Sequence, residues 1–216
     1  MADRGRECIP FGVTRQQRPL VHVNLLFTLL MGFIVACTTT PDVPVSGNFA
    51  LWQDRWARIG AIERWTLQGR AVITHEQEGW QINLDWQQRP DGYLLHMTGP
   101  LGQGAAELTG SQDRVRLSIA DGRTFEAATA GELLLEKLGW DLPVSNLRYW
   151  VLGIPAPGAH ELDQIDDQGR ALKLVQDSWS VQYQQYNDVG GIQLPGKFIA
   201  RSHAWRIKLV IDTWTV

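Results

Sequence analysis

Hydrophobic and polar residues alternate through most of the chain beyond residue 64. In residues 80–87 (WQINLDWQ), Trp80, Ile82, Leu84 and Trp86 fall on one face of an extended strand, with amides and one acid on the other. Similar strand-forming runs recur in several short segments: 93–97, 105–108, 115–119, 171–176, 179–183, 197–201 and 205–214. Short alternating strands of this kind predict an antiparallel sheet with one apolar face and one wet face.

Three segments carry helical signals instead. In residues 49–62, tryptophans and isoleucines recur every three or four positions, which predicts an N-terminal helix. Residues 130–138 (AGELLLEKL) have high helix propensity and are followed by Gly139, a typical helix stop. Residues 143–152 (PVSNLRYWVL) predict a further helix that begins near its proline.

The order of these elements is a helix, many strands, two helices and then more strands. A long twisted antiparallel sheet tends to curl, so the pattern predicts a curved sheet or an incomplete barrel with helices against one mouth or face. No internal repeat or second hydrophobic unit interrupts it. We therefore expect one domain over residues 49–216.

The N-terminal segment has a different character. Arginines in residues 1–18 precede a short apolar run, 25–36, which ends in Ala36 directly before Cys37. A basic region, a short apolar region and small residues before a cleavage point form a secretory signal. A transmembrane helix is the alternative, but the run is too short for a span of ~20 residues. We predict a signal peptide over 1–36.

A cysteine directly after a small residue resembles the lipobox of bacterial lipoproteins. That resemblance implies that cleavage falls before Cys37, that its thiol receives a diacylglyceryl group, and that its new amine is acylated. Residues 37–48 (CTTTPDVPVSGN) would then be a lipidated flexible tether. By the same resemblance, an aspartate directly after the lipidated cysteine would imply retention at the inner membrane. This chain has Thr38 at that position, which favours a lipid anchor on the periplasmic face of the outer membrane.

Charge and cysteine content exclude several classes of function. Loss of residues 1–36, with four basic and two acidic residues, changes the net charge from −3 to −5. Binding to nucleic acid or through a polybasic membrane patch is thus disfavoured. Of the two cysteines, Cys8 leaves with the signal and Cys37 would carry lipid. The domain therefore has no thiol for a disulfide, a metal or a nucleophile.

The sequence also lacks recognisable catalytic chemistry. It contains no HExxH, no GxSxG and no phosphate-binding loop, and its histidines show no metal-ligand spacing. We expect neither an enzyme nor a resident metal or cofactor. A hydrolase assembled from scattered residues stays open as an alternative.

Two positive features remain. All ten tryptophans lie after residue 36, where they form either an ordinary core or the wall of a large apolar interior; the sequence alone does not separate these. The second feature is Gly99-Pro100-Leu101-Gly102, a turn between two strands. Because turns lie at the surface, Leu101 would be exposed at its apex.

Taken together, the mature chain resembles the LolB family of outer-membrane lipoproteins. The resemblance rests on the order of many short motifs: Trp65-x-x-x-Gly69-Arg70-Ala71, Trp86-Gln87-Gln88, Gly99-Pro100-Leu101-Gly102-Gln103-Gly104, Leu138-Gly139-Trp140 with Pro143, Leu147-Arg148-x-Trp150-Val151-Leu152-Gly153, Gln176-x-x-Trp179, Leu194-Pro195 and Arg206-x-Lys208-Leu209.

The resemblance implies a mainly β fold, in which a curved antiparallel sheet forms an incomplete β-barrel with a helical lid and an internal apolar cavity. It implies acceptance of lipoproteins from the periplasmic carrier LolA and their insertion into the inner leaflet of the outer membrane. The membrane-insertion loop maps onto Pro100, Leu101 and Gly102. Inward strand positions and helix residues are the candidates for an acyl-chain cavity: Trp80, Ile82, Leu84, Trp86, Leu95, Met97, Leu117, Leu134, Trp150, Trp179, Val181, Ile207 and Leu209.

The expected partners are a LolA-like carrier, acylated cargo and the outer membrane, with the receptor as a monomer. We expect helix side chains to fill part of the cavity when it holds no cargo. The competing class is a lipoprotein that scaffolds an outer-membrane assembly without a lipid ligand.

Overall fold

The computed structural model describes residues 48–111 and 113–216, which form one compact unit. The predicted signal peptide, Cys37 and all of the predicted tether except Asn48 lie outside the described residues. Within them, helices and strands follow one another as α1 (Phe49–Gly60), β1 (Trp65–His75), β2 (Glu78–Arg89), β3 (Gly92–Thr98), a 3-10 turn (Pro100–Gly102), β4 (Ala106–Ser111), β5 (Val115–Ile119), β6 (Thr124–Ala127), α2 (Ala130–Leu138), α3 (Val144–Trp150), β7 (Glu161–Ile165), β8 (Ala171–Gln176), β9 (Trp179–Val189), β10 (Ile192–Arg201) and β11 (Trp205–Thr215).

All these strands belong to one antiparallel sheet, in the order β6-β5-β4-β3-β2-β1-β11-β10-β9-β8-β7. The first and last of the described strands, β1 and β11, pair at its centre. In the part of the chain that the structure describes, β6 and β7 form its two edges, so the sheet is not closed. The predicted mainly β fold with an unclosed antiparallel sheet is confirmed.

Strand register collects the apolar side chains on one face. Ala71 of β1 lies opposite Leu209 of β11 and Ile82 of β2. Across β2 and β3, Leu84 lies opposite Met97. Because side chains on paired positions share a face of the sheet, these residues form a continuous apolar surface.

A β-bulge interrupts this register between Gln68 and Gly69. A Cβ atom at Gly69 would lie 2.3 Å from the carbonyl oxygen of Val210 on β11. Only glycine allows the two backbones to approach so closely. Gly69 therefore fixes the pairing of β1 with β11 two residues before Ala71, where the apolar surface of the sheet begins to line the cavity side.

Helix α1 begins at Phe49 and is capped by Asn48, whose side-chain oxygen accepts a 3.2 Å hydrogen bond from the amide of Leu51. It buries Trp52 and Ile59, two members of the apolar pattern that predicted it. The helix ends at Gly60, two residues before the predicted end.

Helices α2 and α3 follow β6 and precede β7, so they join the two edges of the open sheet. Thr129 and Glu132 form a capping box at the start of α2, and Gly139 ends it with a φ of 72°. The predicted bounds of α2 are confirmed. Helix α3 is shorter than predicted, because the residues after Trp150 form turns. None of the helices among residues 48–216 is long and apolar enough to cross a membrane.

The edge strands β6 and β7 were not predicted, and β9 and β10 are longer than expected. The additional part of β9, residues 184–189 (QQYNDV), is mostly polar and has one apolar or aromatic residue on each face, so it lacks the alternation that marks a half-buried strand. The additional part of β10 contains Pro195 and Gly196, which normally signal a strand's end.

Candidate functional site

A small apolar cavity lies between the centre of the sheet and the segment that contains α2 and α3. Its volume is about 50 Å³. Strands β1, β2, β3 and β11 supply one wall, and residues 134–151 supply the other. Every lining side chain is apolar or aromatic: Ala71, Ile73, Ile82, Leu84, Trp86, Leu95, Met97, Leu134, Trp140, Leu142, Val144, Leu147, Val151, Ile207 and Leu209. The cavity therefore suits hydrocarbon rather than a charged or polar ligand.

The structure brings most of the predicted cavity residues together here. Those that line the cavity are Ile82, Leu84, Trp86, Leu95, Met97, Leu134, Ile207 and Leu209. Trp80 and Trp179 instead line two open grooves described below.

Three further predicted residues line neither the cavity nor either groove. Leu117 is fully buried in β5, which lies against α2. The ring of Trp150 packs against Trp179, with 6.1 Å between their centroids, and Val181 is fully buried on the same strand as Trp179. As predicted, these apolar side chains point into the interior. They pack directly against neighbouring side chains, however, and line no part of the cavity.

Sequence reasoning missed a further set of lining residues. Ala71 and Ile73 belong to the alternating face of β1, and a longer alternation count would have found them. Trp140, Leu142 and Val144 lie mainly in the connection between α2 and α3, where every second residue is buried. The period of two in residues 140–144 was the available signal.

Two open grooves border the cavity and share side chains with it. The loop groove, about 810 Å³, shares Ile82, Met97 and Trp140 with the cavity and reaches Pro100. The α3 groove, about 620 Å³, shares Trp86, Leu142 and Val144. Because the shared side chains line both spaces, movement of these side chains would connect each groove with the cavity.

The predicted insertion loop lies at the outer end of the loop groove. Leu101 is 95% exposed and has a φ of 68°, a left-handed conformation that a leucine rarely adopts. Gly102 and the carbonyl of Gln103 close the loop through hydrogen bonds with Gly99, of 3.0 and 2.7 Å. An apolar side chain is thus held in water on a strained backbone, which is typical of a functional site.

Helices α2 and α3, called the lid helices from here on, are attached to the sheet in different ways. Tyr183 on β9 donates a 3.0 Å hydrogen bond to the carbonyl of Trp150, and Asn146 donates one of 2.7 Å to Asp177. Among the described residues, the hydrogen bonds of α2 stay within the helix and its caps. Helix α3 is therefore anchored by hydrogen bonds. Helix α2 is held by apolar contacts and by Lys137, whose Nζ lies 4.5 Å from the centroid of the Phe125 ring on β6.

Polar groups near the cavity are few. The indole Nε1 atoms of Trp86 and Trp140 are buried and have no hydrogen-bond partner. Burial raises the pKa of Tyr93, which lines the α3 groove, to about 12, so this side chain is neutral at any physiological pH. Within residues 48–111 and 113–216, no group of acidic, histidine or cysteine side chains could hold a metal ion.

Comparison with solved structures gives the same fold. A LolA superfamily protein from Nitrosomonas europaea superposes with a TM-score of 0.50 at 8% sequence identity, covering 78% of this chain and 93% of that protein. At this identity the likeness concerns the fold alone.

Comparison of sequences is more specific. Outer-membrane lipoprotein LolB of Nitrosococcus oceani is 43% identical over 193 residues, covering 88% of this chain and 96% of the relative. Outer-membrane lipoprotein LolB of Stutzerimonas stutzeri is 36% identical over 194 residues, covering 88% and 94%. The family model described as outer membrane lipoprotein LolB matches residues 63–214, which include the cavity and the Leu101 loop. The chain thus belongs to the LolB family of outer-membrane lipoproteins rather than to a family of enzymes.

Proposed function

We propose that this chain is an outer-membrane receptor that accepts acylated proteins from a LolA-like periplasmic carrier and inserts them into the membrane's inner leaflet. The observation that carries the proposal is the wholly apolar cavity, bordered by a groove that reaches the loop of exposed Leu101. Since the cavity, the grooves and the loop all belong to one chain, the receptor would act as a monomer.

The proposed anchor is Cys37, which would carry a diacylglyceryl group on sulfur and an acyl group on nitrogen. The lipobox-like run before Cys37 and the relatives' description as outer-membrane lipoproteins support it. The anchor would hold the domain beside the membrane that receives the cargo. The tether after Cys37 would let the Leu101 loop reach the bilayer surface.

Acyl chains need continuous shelter from water, because each exposed methylene costs about 0.8 kcal/mol. The cavity in its present form is too small to provide it: an apolar cavity that holds benzene measures about 150 Å³, against about 50 Å³ here. The closed state is thus filled by Leu134, Trp140 and Leu142. Cargo entry would require α2 and the connection after it to move outward.

The difference in attachment between the two helices indicates how this opening would occur. Helix α3 would stay on the sheet through Tyr183 and Asn146, while α2 would swing with Gly139 as one flexible point. No nucleotide is required for this, since transfer follows the difference in affinity between carrier, receptor and bilayer. The receptor must therefore hold acyl chains more weakly than the membrane does.

Leu101 would begin the release step by entering the bilayer. The strained, exposed loop would bring the end of the loop groove against lipid, so that acyl chains leave the cavity without crossing water. A carboxylate at this position would oppose entry, because moving a charged side chain into the membrane costs about 2.5–3.5 kcal/mol.

The first experiment compares Leu101→Glu with Leu135→Glu in delivery of a lipoprotein from a loaded LolA carrier to liposomes. Leu135 is 53% exposed on the outer side of α2 and is the matched control for adding a surface charge to a leucine position. We expect Leu101→Glu to accept cargo but leave it undelivered, and Leu135→Glu to deliver normally. Normal delivery by Leu101→Glu would contradict the assigned role of the loop.

The second experiment tests the cavity with a form that begins at Thr38, which keeps the whole compact unit and lacks the lipid. An acyl-chain fluorophore should bind to it, and an acylated lipoprotein should displace the fluorophore. A scaffold lipoprotein without a lipid ligand predicts no binding, and a hydrolase predicts turnover of the probe. Binding that depends on the Cys37 anchor would contradict the proposed cavity.

A further inference from the structure

Two tryptophans in the cavity wall have polar groups without a partner. The indole Nε1 atoms of Trp86 and Trp140 are inaccessible to water and make no hydrogen bond to any described group. Buried indole N–H groups normally find an acceptor, since an unmet donor destabilises the folded state. These two residues are therefore exceptions that require an explanation.

Other tryptophans of the same chain do find acceptors. Nε1 of Trp150 donates to Oε1 of Gln176 at 3.0 Å, and Nε1 of Trp214 donates to the carbonyl of Pro195 at 2.9 Å. Both of these indoles are thus satisfied within the protein. The two buried indole donors without a partner belong to side chains that line the cavity.

Trp140 lies where the cavity meets the route to the exposed loop. It lines both the cavity and the loop groove, and its ring packs against Trp80 with 5.8 Å between the centroids. The loop groove continues from these rings to Pro100, next to Leu101. A lipid whose tails occupy the cavity and whose head faces the loop would place its glyceryl region beside Trp140.

The chemistry of such a lipid supplies the missing acceptor. The glyceryl region of a diacylated cysteine carries ester carbonyl oxygens, the first strong acceptors met beyond the hydrocarbon tails. We propose that Nε1 of Trp140 donates a hydrogen bond to an ester carbonyl of the cargo lipid, which fixes the tails in the cavity and the head toward the loop. This inference rests on the proposed function and names the part of the ligand that the site recognises.

Trp86 is the natural comparison. It lines the same cavity and also has an unpartnered indole, but it borders the α3 groove, which shares no lining residue with the loop groove. Its ring packs between Trp65 and Tyr93, at centroid distances of 5.2 and 6.4 Å. The proposal places hydrocarbon rather than the glyceryl region next to Trp86.

The test measures competition for an acyl-chain fluorophore by two synthetic lipopeptides. One is a diacylglyceryl-cysteine peptide with two ester carbonyls, and the other is its dialkyl ether analogue, which has tails of the same length and no ester carbonyl. The protein is the form that begins at Thr38, with Trp140→Phe and Trp86→Phe as variants. As a further variant, β-(3-benzothienyl)alanine at position 140 keeps the shape of the indole and removes its N–H.

We expect the unsubstituted protein to bind the ester peptide about fivefold more tightly than the ether peptide, the value of one hydrogen bond. This ratio should fall to about one in both variants at position 140 and persist in Trp86→Phe. A ratio near one in the unsubstituted protein, or one that survives at position 140, would overturn the proposal. If neither peptide displaced the fluorophore, the proposed function itself would fail, whereas equal binding of both peptides would overturn this inference alone.

Discussion

The indole of Trp150 is tied to Gln176 by a 3.0 Å hydrogen bond in the interior of the protein. The same amide oxygen accepts from the backbone N–H of Ala156 at 2.9 Å, and the amide nitrogen donates to the carbonyl of Ala156 at 2.8 Å. One fully buried glutamine thus joins the end of α3, the loop after it and the end of β8. This network fixes the part of the lid that does not move in the proposed opening.

The first prediction concerns this network. Gln176→Met should lower the free energy of unfolding by about 3 kcal/mol or more, because it leaves three buried polar groups without partners. Gln184→Met, at an exposed position on β9, is the matched control and should change stability by less than about 0.5 kcal/mol. Urea unfolding measures both. Equal effects of the two substitutions would mean that the Gln176 network does not stabilise the fold.

Local signals were sufficient to predict some elements from the sequence. Helix α2 has good helix formers at every position except Gly131 and a glycine directly after it, so its bounds are set by the residues themselves. Strand β2 alternates strictly, so its inward face was also predictable. The edge strand β6 is four residues long and only partly buried, so it carries almost no periodic signal.

The cavity was less predictable, because it depends on how two layers meet. Ile82 and Val181 are both apolar and inward on their strands, yet only Ile82 faces an unfilled space. The difference comes from helix side chains that lie far away in sequence. Similarly, Gly and Pro predicted that Leu101 would be exposed, but its left-handed backbone follows from closure of the loop between Gly99 and Gln103.

The second prediction separates stability from function at Leu101. Leu101→Gly should raise the free energy of unfolding by about 1 kcal/mol, because glycine adopts a positive φ without the strain that a Cβ atom causes. Leu101→Ala keeps the Cβ atom and should bring no such gain. Both variants lose the apolar side chain, and both should deliver lipoprotein to liposomes poorly. Equal stability of the Gly and Ala variants would show that the loop is not strained.

The third prediction concerns the different attachment of the two lid helices. Backbone amides of residues 130–138 should exchange with deuterium earlier than those of residues 147–152, because local opening of α2 breaks no hydrogen bond to the sheet among the described residues. Hydrogen exchange detected by mass spectrometry resolves the two segments.

Thr129→Ala provides the control for this experiment. Loss of the capping box costs about 1 kcal/mol, so exchange in α2 should become about fivefold faster while α3 is unchanged. If both helices instead exchanged together at the rate of global unfolding, α2 would not be the moving part of the lid.

The fourth prediction is a pH dependence at Asp166, in the turn between β7 and β8. Partial burial of Asp166 acts to raise its pKa, but hydrogen bonds from the backbone and side chain of Arg170 and from the amide of Gln168 outweigh it, and the pKa lies below its usual 3.8. A carboxyl with a lower pKa in the folded state stabilises it above the unfolded-state pKa. That stabilisation is lost as the pH falls below about 4.

Urea unfolding between pH 6 and 2.5, values chosen to span roughly the whole titration of a carboxyl group, measures this loss. Asp166→Asn should reduce the fall in stability at low pH, whereas Asp91→Asn, in an exposed turn, should leave it in place. An identical pH profile for Asp166→Asn and the unsubstituted protein would contradict the assignment.

The last prediction fills the cavity from the sheet side. Ala71 lines it from β1, opposite Leu209 and Ile82, so Ala71→Val adds two carbon atoms to an existing space and should change stability by less than about 1 kcal/mol. The added carbons take the place of roughly two methylenes of an acyl chain. At about 0.8 kcal/mol each, that loss should weaken binding of an acyl-chain fluorophore roughly tenfold. Ala200→Val is the matched control, because Ala200 is fully buried and does not line this cavity. It should destabilise the protein by about 1–3 kcal/mol through overpacking and leave fluorophore affinity unchanged under conditions where the protein is folded. Fluorophore titration and urea unfolding of both variants give the comparison, and undiminished binding in Ala71→Val would mean that acyl chains do not enter this cavity.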